Sequence, residues 1–438
     1  MILIYCNKSS PRKEYTFNHI FKFILNTKFS ITYSKSDFIN YKGYKFSYAN
    51  SQISEELFFR SIGLLDERGL ENYEIKIFKW EDVKCFFKVG EKSAIPFDIF
   101  SAIFFLLSRY EEYIPHTANK LGQFNHLQSI AYKEEFLEIP LVDIWIEKFK
   151  SVLENKLKLK CKMTSNNQIK SILISSLNPY KYINKYPFES FLIWFKNLIK
   201  LNLWEVVEHI IVLLRIKVDP WEIDDYIKKI LLASDKEILY FFSFSSESFF
   251  KNETPKTNEN FKKYIKEVSD NFEIGLLPST NALKNPKTFQ LESFNISNLV
   301  HKKVVKVLFQ GGLKKISQYY KNSISLNNAN DFSMGYIDAF GYRASTCSSF
   351  FFYDLSNETK TNLLVTPFVA HFKLIDKTSL GKAIGKIQKF NEIANKHYGS
   401  FSIILNNEIF ENSLKNSKRR FHFASLIKNI DNGFKKIN

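Results

Sequence analysis

The 438-residue sequence predicts an α/β protein in which a smaller α/β domain precedes a larger one built on a parallel sheet or barrel. Two observations predict it. From about residue 171 to residue 405, short apolar runs of strand length alternate with longer runs of helical spacing, as in strands joined by helical crossovers. Ahead of this repeat lies a polar stretch, residues 161–170 (CKMTSNNQIK), and ahead of that a shorter mixture of strand and helix patterns. The boundary is placed inside the polar stretch, giving domains 1–165 and 166–438, the second carrying a helical insertion near 185–235.

The elements follow in order. Met1 to Tyr5 is a short apolar strand, and Phe17 to Leu25 has helical spacing. Ile75 to Trp80 and Cys85 to Phe87 have strand character. Asp98 to Tyr110 (DIFSAIFFLLSRY) is apolar all round, which predicts a buried helix, with Asp98 placed to accept from its free first-turn amides. Pro140 to Leu157 is amphipathic, with proline at the helix start, where its missing N–H costs nothing. Ser171 to Ser175 (SILIS) begins the second domain as a buried strand. Helices follow at Phe188 to Leu201, Trp204 to Arg215 and Pro220 to Ala233. Strands at Glu237 to Phe244, Phe272 to Leu277, 331–336, Ser349 to Tyr353, Thr361 to Phe368 and Ser400 to Leu405 alternate with helices over Asn260 to Asn271, Asn295 to Val307, Leu313 to Asn322 and Ser379 to Tyr398.

Composition narrows the function classes. Hydrophobic residues make up 45% of the chain, ample for real cores. The net charge of +17 suits a polyanionic partner, but lysine is spread along the chain and no block reads as a nucleic-acid arm. The strongest basic cluster, Lys415, Lys418, Arg419 and Arg420, decorates a predicted terminal helix. Cys6, Cys85, Cys161 and Cys347 are too dispersed for a zinc finger or disulfide scaffold, and buried thiols are expected. No stretch of about 18 apolar residues free of charge occurs, so no transmembrane segment is expected, and the short apolar start lacks a leader's features. A cytoplasmic protein is the expectation, with peripheral membrane attachment left open. None of the eight histidines has HxxxH, HxH or HExxH spacing, Gly311-Gly312 lacks a phosphate-loop frame, and no GxSxG elbow exists. Trp194, Trp204 and Trp221 sit at helical positions among apolar residues and read as packing residues before a sugar platform.

Two local runs carry a family resemblance. The first joins Asp98-Ile99-Phe100-Ser101-Ala102, Leu107-Ser108-Arg109-Tyr110-Glu111-Glu112-Tyr113, Gly122-Gln123-Phe124 and Pro140-Leu141-Val142-Asp143. It resembles the accessory domain ahead of the catalytic domain in a bacterial branch of the polysaccharide deacetylases. The second is Asp331-Phe332-Ser333-Met334-Gly335-Tyr336 with Gly341-Tyr342-Arg343-Ala344-Ser345-Thr346-Cys347, running on to Leu355. It is similar to the family's D-S-x-G-Y and G-F-R-A-G block. The resemblance implies a distorted (β/α) barrel of NodB type and an ancestral zinc-dependent N-deacetylation of acetylated sugars. That reaction needs a metal with an open position, a carboxylate base and a histidine acid.

The resemblance also implies that these groups are gone. Where the family has D-x-D-x-P-Y, this chain has Ser175-Ser176-Leu177-Asn178-Pro179-Tyr180, with serine at the base position and leucine at a ligand position. Where it has E-I-G-x-H-P-S, the chain has Glu273-Ile274-Gly275-Leu276-Leu277-Pro278-Ser279. R-Q-H becomes Phe309-Gln310-Gly311, and L-W-H-N becomes Ile404-Leu405-Asn406-Asn407. The metal positions are then Leu177, Leu277 and Gly311, the base and acid positions Ser175 and Asn406, and no catalytic residue, zinc or other cofactor is expected. What remains as ligand-binding candidates is Arg343, Tyr180, Glu273, Asp338 and Ser279. In the family this arginine orients the catalytic carboxylate; with that gone, either Arg343 holds an anion or sugar oxygen, or it forms a structural ion pair with Asp331 or Asp338. The reading is an inactive deacetylase homologue that binds a glycan or an enzyme of surface-polysaccharide metabolism. Two alternatives stand beside it. A divergent amide hydrolase with a relocated site would need convergence among Arg343, Glu273, Asp338 and His371. A scaffold would have a cleft filled by Leu177, Leu277 and Leu405.

Overall fold

The computed structural model describes residues 1–119, 122–163, 169–185, 187–222, 225–244, 258–413 and 416–432. The expected boundary at 165/166, residues 223 and 224 of the predicted third helix, and Lys415 of the basic cluster lie outside them. The chain is mixed α/β, with a curled nine-stranded half-barrel sheet and a separate four-stranded parallel sheet.

The small sheet has the order β2-β1-β3-β4, all parallel, from β1 (Ile2–Cys6), β2 (Phe29–Thr32), β3 (Lys45–Ala49) and β4 (Leu57–Arg60). Only β1 carries a clear apolar signal; β2 is half-buried along its length, which hid it from pattern reading. The helix expected from Phe17 begins earlier, at Pro11, because the Ser10 hydroxyl accepts from the Lys13 amide, and it continues with π-type winding from Asn18 to Ile24. The apolar helix Ile99–Leu107 is buried throughout, and Asp98 caps it by accepting from the Ser101 amide. β5 (Phe78–Trp80) and β6 (Val83–Cys85) form a separate short antiparallel pair.

The large sheet contains β7 (Lys170–Ser176), β8 (Glu237–Phe242), β9 (Glu273–Leu276), β10 (Lys306–Val307), β11 (Asn330–Met334), β12 (Phe350–Asp354), β13 (Thr359–Pro367), β14 (Ala370–His371) and β15 (Phe401–Asn406). Its order is β12-β13-β11-β10-β9-β8-β7-β15-β14, with only β12 antiparallel to its neighbour. β13 pairs with β11 and β14 with β15, and only Phe368 and Val369 separate them. One stretch of chain therefore ties both ends of the curl.

Alternation along the strands sorts side chains to two faces. Ile172, Ile174, Tyr240, Phe242 and Ile274 join the main core with the helices. Leu173, Leu239, Phe241, Leu277, Leu308, Phe332, Phe368, Phe372 and Ile404 form a second core inside the curl. Both faces are covered, so the Ile172–Ile174 stretch of β7 reads as a continuous apolar run, as a covered parallel strand should. β9 carries glycine at Gly275, where a Cβ would run into the Phe241 ring. β10 is two residues long, and the helix expected over Asn295 to Val307 is instead Pro286–Val300, ending before it. All four cysteines are buried and unpaired.

Candidate functional site

In parallel α/β sheets, ligands gather beyond the carboxyl ends of the strands. Here Ser175, Gln310 and Asn406 each lie two residues beyond an interior residue: Leu173, Leu308 and Ile404. Ser175 pairs in register with Asn406 on one side and Phe241 on the other. The Ser175 Oγ, Gln310 Oε1 and Asn406 Oδ1 atoms are buried without a hydrogen-bond partner among the described residues. A buried polar atom left unpaired costs about 1–3 kcal/mol.

His371 sits at the same end. It is fully buried against the Phe372 ring, its Nδ1 accepts from the Lys373 amide, and its Nε2 lies 3.3 Å from the Gln310 carbonyl. These contacts suit the neutral ring with the proton on Nε2. Burial, helped by Lys373, pushes its pKa down to about 3. At the same end Leu277 fills the interior, while Leu177 is 36% exposed and Leu405 faces the outer core. Of the three leucines named for a filled cleft, only Leu277 lies inside. A Cβ on Gly311 would meet nothing within 4 Å, and its carbonyl accepts from the Gln123 side chain.

The other candidates are dispersed. Arg343 is buried, and its Nε and Nη2 donate to Glu112 Oε1 (2.8 Å) and Oε2 (2.6 Å). Its partner is thus Glu112, which sequence reading did not single out, and neither Asp331 nor Asp338. Arg109 Nε donates to the same Oε1 at 2.8 Å. Burial alone would raise the Glu112 carboxyl, but Arg343 and Arg109 outweigh it and hold it at about 2. Asp338 pairs with His126 at 3.1 Å, and that contact lowers its pKa. Glu273 is the first residue of β9, at the opposite end of the strands from Leu277. With Glu237 it clasps Lys306, at 2.6 Å and 2.8 Å. Ser279 is held through its amide and hydroxyl by Glu292. Tyr180 donates to the Asn260 carbonyl at 3.3 Å and lines a cleft of about 560 Å³ with Asp219, Glu222, Tyr264 and Glu267. Arg343, Glu273, Asp338 and His371 therefore bond to different partners and do not converge.

The two sequence runs behind the resemblance meet each other. Besides the Glu112–Arg343 pair, the Asp143 carboxylate accepts from the Cys347 amide (2.9 Å) and the Ser348 hydroxyl. The Tyr342 amide donates to the Leu137 carbonyl, and the Val142 amide to the Ser345 carbonyl. Nearby, Asp331 accepts from the Tyr320 hydroxyl and from the Ser333 amide and hydroxyl, yet burial still lifts its pKa to about 6. Glu112 and Asp143 could have been found from sequence only by asking which carboxylates answer a buried arginine and a loop of bare amides. Their distance along the chain, about 200 residues, hid the pairing.

Among the described residues no group of three or more His, Cys, Asp or Glu side chains is placed to hold a metal ion. Nor is any helix among them long and apolar enough to cross a membrane.

A family model described as a family of unknown function (DUF7033) matches residues 2–158. No curated protein matches the chain. Among solved structures, it is similar to a 4-alpha-glucanotransferase from Thermococcus litoralis, at 7% identity over 60% of this chain and 37% of that one, with a TM-score of 0.34. It is also similar to a protein from Mycobacterium smegmatis assigned to the polysaccharide deacetylases, at 8% identity over 60% of this chain and 85% of that one, with a TM-score of 0.30. The chain thus spans 37% of the glucanotransferase's length, and both likenesses are weak.

Proposed function

We propose that this chain is a non-catalytic relative of the NodB-type polysaccharide deacetylases. Its curled sheet would be a worn (β/α) barrel, and its strand ends would bind a glycan or an enzyme of surface-polysaccharide metabolism. The observation that carries this reading is the chemistry of the strand ends. Ser175 Oγ, Gln310 Oε1 and Asn406 Oδ1 are buried, unpartnered hydroxyl and amide oxygens. Such groups exchange hydrogen bonds with neutral sugar hydroxyls, and none can take a proton from water near neutral pH.

The donor set does not fit zinc. Leucine at 177 and 277 and glycine at 311 offer no side-chain lone pair. His371 holds its proton in a contact to a carbonyl and stays neutral over the physiological range, so it is poorly suited to protonate a leaving amine. The test is direct. The full chain, titrated with zinc and with acetylated chito-oligosaccharides, should bind no stoichiometric zinc and release no acetate. It should bind the sugar, and Ser175→Val and Asn406→Leu should each weaken that binding about tenfold. Stoichiometric zinc with acetate release would overturn the reading.

A second reading, a hydrolase with a relocated site, draws on the Tyr180 cleft. There Glu222 has a raised pKa from burial and from the neighbouring Asp219 and Glu267 carboxylates. It requires turnover that Glu222→Gln abolishes.

A further inference from the structure

The helical hairpin after β7 has its polarity reversed. Its helices are Pro187–Ile199 and Leu203–Leu213, and no residue of the first is buried. Half of the exposed large apolar side chains among the described residues fall between Phe188 and Val218. On the second helix Leu203, Trp204, Val207 and Ile210, with Leu214 at its C-terminal cap, are exposed at helical spacing, Trp204 by 55%. Its buried positions include Glu208 and His209. Glu208 accepts from the Tyr182 hydroxyl and pairs with Lys217, and His209 bonds to the Ser190 hydroxyl at 2.9 Å while stacking on Tyr182. Polar groups thus turn inward, where Glu208 and the His209 Nε2 find partners and the His209 Nδ1 and Glu189 Oε1 have none among the described residues, while apolar ones face out, the arrangement of an element whose surroundings are hydrocarbon.

Charge says what those surroundings are. Of the charged residues between 187 and 218, the exposed ones are Lys196, Lys200 and Arg215, all cationic; the acidic ones are buried or half-buried. A symmetric contact with a second copy would set this patch against itself and bring like charges together. The chain's net charge of +17 adds repulsion between copies and attraction to an anionic surface. Helices of 13 and 11 residues are about 20 and 17 Å long, too short for a hydrocarbon core of about 30 Å, but suited to lying at its boundary. An exposed tryptophan and lysines able to reach back to headgroups belong at that depth. We propose that the hairpin Pro187–Val218 docks the protein on an anionic phospholipid bilayer, entering one leaflet at the headgroup boundary without crossing it.

The full chain should float with phosphatidylglycerol-containing vesicles, at least about tenfold more tightly than with phosphatidylcholine alone, and raised salt should weaken the binding. The double variant Phe191→Asp/Val207→Asp, at exposed positions that leave the fold intact, should lose vesicle binding while keeping the wild-type unfolding profile. The triple variant Lys196→Gln/Lys200→Gln/Arg215→Gln should lose the preference for anionic lipid. Failure of the folded wild-type chain to bind anionic vesicles overturns the proposal. So does a wild-type dimer that Phe191→Asp converts to monomer without any vesicle binding, which would assign the hairpin to a second copy. These readouts are independent of sugar binding at the strand ends.

Discussion

At the scale of single residues, Glu112 is the most consequential side chain that pattern reading left without a role. It answers two buried arginines, and its removal strands the Arg343 charge while leaving Arg109 with Glu111 alone. Glu112→Ala should cost roughly 3–5 kcal/mol in urea unfolding. Removing Arg343 as well should restore part of that loss, because one charge is then no longer orphaned. A single-variant loss under about 1 kcal/mol would show the pair to be dispensable. The same residue sets an acid limit. Its folded pKa, about 2, lies below the unfolded value of about 4.3, so its contribution is full above the unfolded value and is lost as pH falls from there through about 2. His371 acts in the same direction at higher pH. Its pKa of about 3, against about 6.5 unfolded, means that acid protonates the unfolded chain first. The melting temperature should therefore begin to fall below about pH 6.5, and less steeply in His371→Gln. His19, also buried and depressed to about 3, should keep part of the slope in that variant.

At the scale of elements, β9 shows how packing selects a residue that propensity disfavours. Glycine weakens a strand, yet Gly275 leaves room for the Phe241 ring inside the curl. Gly275→Ala should cost about 1–3 kcal/mol by overpacking, and Phe241→Leu in the same chain should recover part of it. If Gly275→Ala alone is neutral in thermal unfolding, the ring has room to move and the close approach is not a constraint. Elements with strong local signals were legible: the capped helix at Ile99–Leu107, the buried strand at β7 and the helix Leu380–Lys396 all follow from period, cap and length. β10 was not, since two residues show no period. β2, β3 and β4 were missed because their identity rests on register with β1. Trp204, expected to pack, is exposed, because helical spacing locates an apolar stripe but not the direction it faces.

At the scale of the whole molecule, the two sheets share one core. Tyr15 and Phe104 from the first part of the chain pack on the Tyr353 ring from β12. Arg12 pairs with Glu358 in the turn between β12 and β13, and the Tyr15 hydroxyl donates to the Phe351 carbonyl. Heat or urea should therefore unfold the chain in one transition, seen alike by circular dichroism and tryptophan fluorescence. A fragment ending at residue 158 should lack a dispersed amide spectrum, since it would bare Glu112, Asp143 and Phe104 together. A separately melting fragment would contradict the shared core.

By itself, the sequence determined the α/β class, most strands of the large sheet, and which side chains stand at positions 175, 177, 277, 311 and 406. Those are local properties: a period, a cap, or a side chain with or without lone pairs. Only the tertiary structure decided that Arg343 belongs to Glu112, that Glu273 lies at the far end of the strands from Leu277, and that the hairpin turns its apolar stripe outward. Each depends on which distant segments meet. The free energy of burying a charge or an apolar face is set by its surroundings, and those do not exist until the chain has closed on itself.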